Sequence, residues 1–344
     1  MESTLRMMIV ACSLCRRQWF TVGILVAASG SLLMVLHGAN ILDVLAISRT
    51  VAVTMRMIDG VNCSNRTLHF DGYPLPAFRN AVFPDFAEGG LPDVCSLLLI
   101  GMHGIIDKDV DKFPGTVVYI NGETSAHRIS QGHYYLGVPT ADISGRASFQ
   151  FYYASYAFLG SPTPFLVYQT DEQRQNFLLY RSSRCFDHRE SAFDAFSTLG
   201  EVHAAGKCNG TTENFRQVNF DPDPSTAYEG YRFALAMENT NQAGYVTEKI
   251  VHAFIGGAIP IYWGTWDVFN LFNRDAFIYF DPENPNEALD RVKYLESNLT
   301  AYMEMRRNPI LAPGALHKYF SLADNIEGGA LKRRIRSFLG IKDS

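Results

Sequence analysis

The sequence predicts an α/β protein of two domains facing a cleft, each an open, mostly parallel sheet covered by helices, preceded by one N-terminal transmembrane helix. Three observations carry this. The chain has 344 residues, 47% of them hydrophobic and 19% charged, which supplies an ample core, excludes disordered and collagen-like classes, and exceeds the roughly 100 to 200 residues of one domain. Its second half alternates short apolar runs with amphipathic ones, the pattern of a parallel sheet flanked by helices. Finally, no formally charged side chain occurs from Gln18 to Leu42.

Trp19 to Leu36 is almost wholly apolar, and eighteen residues at about 1.5 Å each approach the roughly 30 Å of a hydrocarbon core. Arg16 and Arg17 precede it and no basic pair follows, so the N-terminus is expected in the cytosol. The expected organisation is a cytosolic tail over 1–18, a signal anchor over 19–36, a stem over 37–55, a first domain over 56–165 and a second over 166–344. A cleaved signal peptide, cut near Ala27 to Gly30, is the competing reading, and both put the body across the membrane.

Asp93 to Ile100 and Gly115 to Ile120 read as short buried strands, bounded by Pro92, Gly101, Pro114 and Gly122. Pro162, Pro164 and the polar stretch Gln169 to Gln175 separate the domains. Phe177 to Tyr180 is then a strand, and Asp187 is expected to cap a helix whose Ala192, Phe193, Ala195, Phe196 and Leu199 form one face before Gly200. The strand Phe233 to Met237, a helix from about Thr247 to Ile255, the terminators Gly256 and Gly257 and the strand Ala258 to Tyr262 make one βαβ crossover. Ligands bind beyond the carboxyl ends of such strands, so the loops after Ile120, Tyr180 and Met237 are the candidate site.

The net charge is −5; four arginines against Glu2 and Asp43 make the first fifty residues +2, leaving −7 on the remainder. That body has no electrostatic footprint for nucleic acid. The polar loop Glu238 to Tyr245 runs into a helix N-terminus, where unpaired N–H groups and the dipole attract an anion. Lys249 adds a charge. Glu248 in the same turn either merely suits the macrodipole or grips sugar hydroxyls beside a diphosphate.

The run YRFALAMENTNQAGYVTEKIVHAFIGGAIPIYWG, Tyr231 to Gly264, resembles the donor-binding signature of the α-1,3-fucosyltransferases, glycosyltransferase family 10. These use GDP-fucose on a GT-B fold of two Rossmann-like domains. Ser182, Ser183, Arg189 and Phe193 resemble the family's upstream segment, and Glu123 with Thr124 after Ile120 resembles its Glu-Ser segment. The resemblance implies that Arg189 and Lys249 bind the diphosphate, Asn239 and Tyr245 contact the nucleotide, Glu248 holds ribose or fucose hydroxyls, and Glu123 is the catalytic base. It implies an enzyme moving fucose to a glycan hydroxyl, most simply the 3-OH of N-acetylglucosamine, and with the apolar span a type II Golgi protein. Since the nine histidines form no His-x-x-x-His pair and the one Cys-x-x-Cys, Cys12 to Cys15, precedes the span, no metal is expected to be required, with manganese stimulation allowed. Another nucleotide sugar on the same scaffold, or an inactive glycan-binding homologue, are the alternatives. Met237 replaces a usual Phe, Thr124 replaces a usual Ser, and the insert Phe220 to Ser225 has no counterpart in the resemblance.

Other features have plainer readings beside the functional ones. Asp221 and Asp223 in FDPDP imitate a metal-binding Asp-x-Asp, but Pro222 and Pro224 favour a turn. Cys63, Cys95, Cys185 and Cys208 are either disulfides or buried thiols, and Asn62, Asn65, Asn209 and Asn298 stand in sequons. Cys12 and Cys15 beside the span are acylation candidates or plain thiols. Trp263 and Trp266 are a sugar platform or core. Lys332, Arg333, Arg334 and Arg336 are expected to make a solvated helix face.

Overall fold

The computed structural model describes residues 22–26, 32–36, 63, 66–71, 75–102, 110–124, 133–140, 147–156, 159, 174–208 and 223–341. The tail, the stem, most of the expected separator, three of the sequons and residues 220–222 of the insert lie outside them.

The chain divides into two units, Met1–Asn62 and Cys63–Ser344. In the first, Val22–Val26 (β1) and Leu32–Leu36 (β2) pair antiparallel. The expected span is thus not a helix at these residues, and among the described residues no helix is long and apolar enough to cross a membrane. A short apolar run rich in Val and Leu has no periodicity to separate strand from helix.

The second unit holds two sheets, both wholly parallel. Thr67–Asp71 (β3) leads to helix Leu75–Val82 (α1), Ala87–Glu88 (β4), Leu97–Ile100 (β5), Thr116–Asn121 (β6), Tyr134–Gly137 (β7) and Ala147–Gln150 (β8), in the order β4-β3-β5-β6-β7-β8. The strand expected from Asp93 starts only at Leu97, because the Asp93 carboxylate accepts from Cys95 N and Ser96 Oγ and holds a turn. Burial on β6 is continuous from Val117 to Asn121, as a strand covered on both faces requires.

After the short helix Tyr153–Tyr156 (α2) comes the second sheet. Asn176–Ser182 (β9), helix Asp187–Ser197 (α3) and Val202–Gly206 (β10) form one arm. Tyr231–Met237 (β11), helix Glu248–Ile255 (α4) and Ile259–Trp263 (β12) form the expected crossover, followed by helix Val268–Leu271 (α5) and Ile278–Tyr279 (β13). The order is β10-β9-β11-β12-β13, so the chain reverses direction between β9 and β11. Asp187 is the first residue of α3 and Phe186 its cap, one position from expectation. Separate apolar clusters cover the two faces of this sheet, one containing Val251, Phe254 and Phe272, the other Phe196, Phe233 and Val292.

Two disulfides, Cys63–Cys95 and Cys185–Cys208, join the four cysteines. The second ties the loop after β9 to the residues after β10. Helices Asn286–Ser297 (α6) and Leu299–Arg307 (α7) close one face of the second sheet. Asn298 caps α7, its Oδ1 accepting from Ala301 N.

The last helix, Ala330–Phe338 (α8), returns to the first sheet, where Leu331 and Ile335 join Leu68, Phe78 and Leu99. This corrects the solvated reading of the basic cluster: Lys332 and Arg336 are buried. Arg336 donates from both terminal nitrogens to Asp85, at 2.7 and 2.9 Å, and to Val82 O. Guanidinium on a long apolar stem can pass through a core contact and still satisfy its charge.

Burial pushes the Asp85 carboxyl up, but the bonds from Arg336, with Arg66 behind them, hold it below the ordinary carboxylate range. Its contribution to stability is therefore present above about pH 4 and is lost as pH falls through the lowered value. Asp85→Ala, which leaves Arg336 buried without its anion, is expected to cost about 3 kcal/mol at neutral pH and much less in acid. Urea unfolding at pH 7 and pH 3 checks both.

Candidate active site

Strand ends from both sheets meet at one cleft of about 470 Å³. Glu123 enters it just beyond β6, Ser182 to Arg184 from the end of β9, Met237 and Asn239 from the end of β11, and Glu248, Lys249 and His252 from α4. The cleft thus lies at the point where the second sheet reverses direction, the crevice in which open α/β sheets bind ligands.

Its foundation is a residue given no role by sequence reasoning. Glu238, directly after β11, is fully buried. One carboxylate oxygen accepts from Thr247 N at 2.7 Å, the other from Thr247 Oγ1 at 2.8 Å and Lys249 Nζ at 3.1 Å. The protein's own anion thereby takes part of the helix N-terminus that the sequence offered to a ligand. Burial pushes the Glu238 carboxyl up, against the pull of Lys249. Burial alone would lower Lys249, yet Glu238 and Glu248 hold its ammonium well above the ordinary lysine value. Glu248 is raised by burial but brought below the usual carboxylate range by Lys249 and His252. The only signal for Glu238 was a lone acid closing an otherwise apolar strand end, FALAM.

Arg189, buried on α3, has the acceptors for both terminal nitrogens within the protein. Nη1 donates to Ser182 Oγ and Arg184 O, each at 3.1 Å, and Nη2 donates to Met237 O at 2.6 Å and Asn239 Oδ1 at 2.9 Å. The side chain expected to bind a diphosphate clamps the ends of β9 and β11 together and adds its charge to the cleft. Burial lowers its pKa.

Asn239, oriented by Arg189, donates from Nδ2 to Tyr245 Oη at 3.0 Å, and that hydroxyl donates to Glu123 Oε2 at 3.0 Å. Tyr245 is fully buried and does not line the cleft, so the expected nucleotide contact is here an internal link. Burial raises its pKa, which keeps the phenol a donor. Glu123 also receives order from its own turn, its N–H donating to Asn121 Oδ1 at 2.9 Å. Gly122 beside it is required by packing, since a Cβ would lie 2.5 Å from the Tyr153 ring.

The loop Glu238 to Thr247 meets the first sheet at further points. Gln150 Nε2 donates to Gly244 O, and Gln242 Nε2 to Pro139 O. Gly244 has φ +82° and stands so close to Gln150 and Pro139 that no side chain fits. These contacts fix the distance across the cleft.

The lining carries Arg181, Arg184, Arg189 and Lys249 against Glu123 and Glu248, a net positive surface suited to a polyanion with hydroxyl groups nearby. Arg181, Arg184 and His252 were not foreseen. Asp223, half of the suspected metal motif, accepts from Ser225 N and Oγ and starts the 3-10 turn Pro224–Tyr228 beside the cleft. Asp221 lies outside the described residues. Among those described, the grouping with metal-ligand spacing is Cys185, Glu190 and Cys208, whose sulfurs are joined to each other. Trp263 is half-buried against His188, and Trp266 is 64% exposed, stacked on Tyr279; neither lines the cleft.

Residues 172–307 match the family model described as glycosyltransferase family 10 (fucosyltransferase) C-term. A putative fucosyltransferase of Acanthamoeba polyphaga mimivirus is 32% identical over 40% of this chain and 24% of its own length. The alpha-(1,3)-fucosyltransferase FucT of Helicobacter pylori is 36% identical over 36% of this chain and 25% of its own. The chain thus spans about a quarter of the length of these curated relatives. A crystal structure of an α1,3-fucosyltransferase superposes with a TM-score of 0.54 at 18% identity, covering 84% of this chain and 93% of that one, which shows a shared fold.

Four acceptors converge on one guanidinium, so Arg189→Lys is not conservative: an ammonium cannot reach both pairs. The variant is expected to lose about 2 to 3 kcal/mol of stability, close to the loss for Arg189→Ala. Urea unfolding of the three proteins gives the comparison.

Proposed function

We propose that the protein is an inverting fucosyltransferase of GT-B type, moving L-fucose from GDP-fucose to a glycan hydroxyl, the 3-OH of N-acetylglucosamine, a reading supported by the match of residues 172–307 to the family model. The observation that carries this is the hydrogen-bonded chain Arg189, Asn239, Tyr245, Glu123, which ties a carboxylate at the end of one sheet to a cationic nest at the end of the other.

In this reading the nest takes the diphosphate. Lys249 faces it as a point charge with the first turn of α4, and Arg189 supports it through charge and through the loops it clamps. Glu248 receives hydroxyl protons. Tyr245 holds Glu123 in one orientation, and Glu123 takes the proton of the acceptor hydroxyl. The acceptor oxygen forms its bond to the anomeric carbon as the carbon–phosphate oxygen bond opposite breaks. One displacement converts the β-linked donor into an α-linked product. GDP leaves as an anion stabilised by fixed charge, so no acid is needed on that side. The fixed cations also supply the charge a divalent ion would bring, and manganese is read as at most a stimulant.

The reading includes single-pass anchoring in the Golgi membrane through segment 19–36, with the body luminal. Arg16 and Arg17 support the orientation, and the two disulfides suit an oxidising compartment. A bilayer would demand the helical form of this segment, because a paired strand hairpin leaves open edges.

Glu123→Gln keeps shape but cannot accept a proton. Transfer is expected to fall by at least about 10²-fold while GDP affinity stays near wild type; Lys249→Ala is expected to weaken GDP binding about tenfold or more. Calorimetry and initial rates on the same variants with glycan acceptors separate the two, and near-normal turnover in Glu123→Gln would remove it as the base. Activity is expected to survive EDTA, and complete loss restored by metal would overturn the metal-free reading. Protease digestion of residues 63–344 from the cytosolic side of intact vesicles would overturn the topology.

A further inference from the structure

Helices α6 and α7 meet at a single residue, Asn298. Ala288, Val292 and Leu295 of α6 and Tyr302 and Met305 of α7 pack on the core of the second sheet. Tyr294 and Leu299 point away from it, 47% and 61% exposed, and are two of the seven large hydrophobic side chains exposed among the described residues. Asn298 stands between them in the triplet Asn298, Leu299, Thr300, the acceptor pattern for an N-linked glycan.

The backbone at Asn298 has φ −135° and ψ 88°, outside both helices. Its Oδ1 caps α7 by accepting from Ala301 N at 3.0 Å, and its Nδ2 donates to Tyr294 Oη at 3.1 Å in a bond that lies at the surface. A cap needs only the carbonyl oxygen. Replacing one Nδ2 hydrogen by a sugar leaves that oxygen and one N–H in place, so the start of α7 is compatible with the modification. The Arg291 guanidinium stands over the Tyr294 ring, 5.7 Å from its centroid, so the ring is fixed through both a face and its hydroxyl.

We propose that Asn298 carries an N-linked glycan whose first N-acetylglucosamine packs against Tyr294 and Leu299. This rests on the luminal reading of the body, where a lipid diphosphate-linked oligosaccharide is the donor. The Nδ2 nitrogen forms its bond to the anomeric carbon as the bond from that carbon to the diphosphate oxygen breaks. The lipid diphosphate leaves with the electron pair, and one Nδ2 proton is released. A pyranose offers C–H groups on its face, which suit an aromatic ring, and hydroxyls at its rim, which stay in water. The sugar thereby removes apolar surface from water that the fold itself leaves exposed. None of these residues lines the cleft, so the glycan acts on stability and leaves transfer unchanged.

The full chain made in a eukaryotic secretory host tests this by peptide mass spectrometry on the wild type, Thr300→Ala and Thr300→Ser. Asn298 is expected to be glycosylated in the wild type and in Thr300→Ser, which keeps the triplet, and bare in Thr300→Ala. The thermal midpoint is expected to fall by about 2 to 4 °C in Thr300→Ala and to stay at the wild-type value in Thr300→Ser. In a Tyr294→Ala background the Thr300→Ala step is expected to cost less than about half as much. Bare Asn298 beside a glycosylated Asn62, Asn65 or Asn209 would overturn the site alone, and a Thr300→Ala loss unchanged by Tyr294→Ala would overturn the packing. Bare asparagine in all four sequons would overturn the luminal reading and this site with it.

Discussion

The buried pairing of Glu238 with Lys249 and Thr247 is the constraint on which the site depends. A carboxylate with no exposure survives only if its charge is answered, and here one ammonium, one hydroxyl and one backbone N–H answer it. The arrangement works in both directions. Lys249 stays fully charged because Glu238 and Glu248 flank it, and the start of α4 is pinned to the end of β11. Lys249 thus presents its charge from a fixed point instead of from a mobile stem.

Arg189 performs the complementary task between β9 and β11. Two neighbouring parallel strands end in carbonyls and hydroxyls that cannot satisfy one another, and a single buried guanidinium bridges them. Through Asn239 and Tyr245 the same guanidinium reaches Glu123, more than sixty residues earlier in the chain. Each member of this chain has its orientation set by the one before: the amide oxygen of Asn239 faces arginine, so its nitrogen must face tyrosine, and the phenol must then donate to the carboxylate.

That coupling also explains why the loop after β11 is crowded. It carries Asn239 and Tyr245 and makes the contacts to Gln150 and Pro139, so it works as a spacer between the sheets. A positive φ at Gly244 lets the backbone turn where a side chain would collide with the first sheet. Change there would alter the distance between proton acceptor and cation nest together.

The sequence by itself determined the three central strands of the second sheet and the crossover helix between two of them, because apolar runs bounded by glycines and a helix-period face between them have one parallel solution, while the edge strands β10 and β13 went unread. The pattern also pointed to the loops after Ile120, Tyr180 and Met237 and to the helix start with Glu248 and Lys249, while the roles of Glu123, Arg189 and Asn239 came from the resemblance. Local pattern could not say how those side chains spend their hydrogen bonds. Only the tertiary structure decided that Glu238 is the buried anion, that Arg189 is committed to four protein acceptors, and that Tyr245 faces Glu123. It alone decided that Arg336, in a cluster whose pattern read as a solvated face, lies buried against Asp85. The physical reason is common to all four: a charged or polar side chain is assigned by the partner that satisfies it, and these partners lie on other elements that no local period encodes.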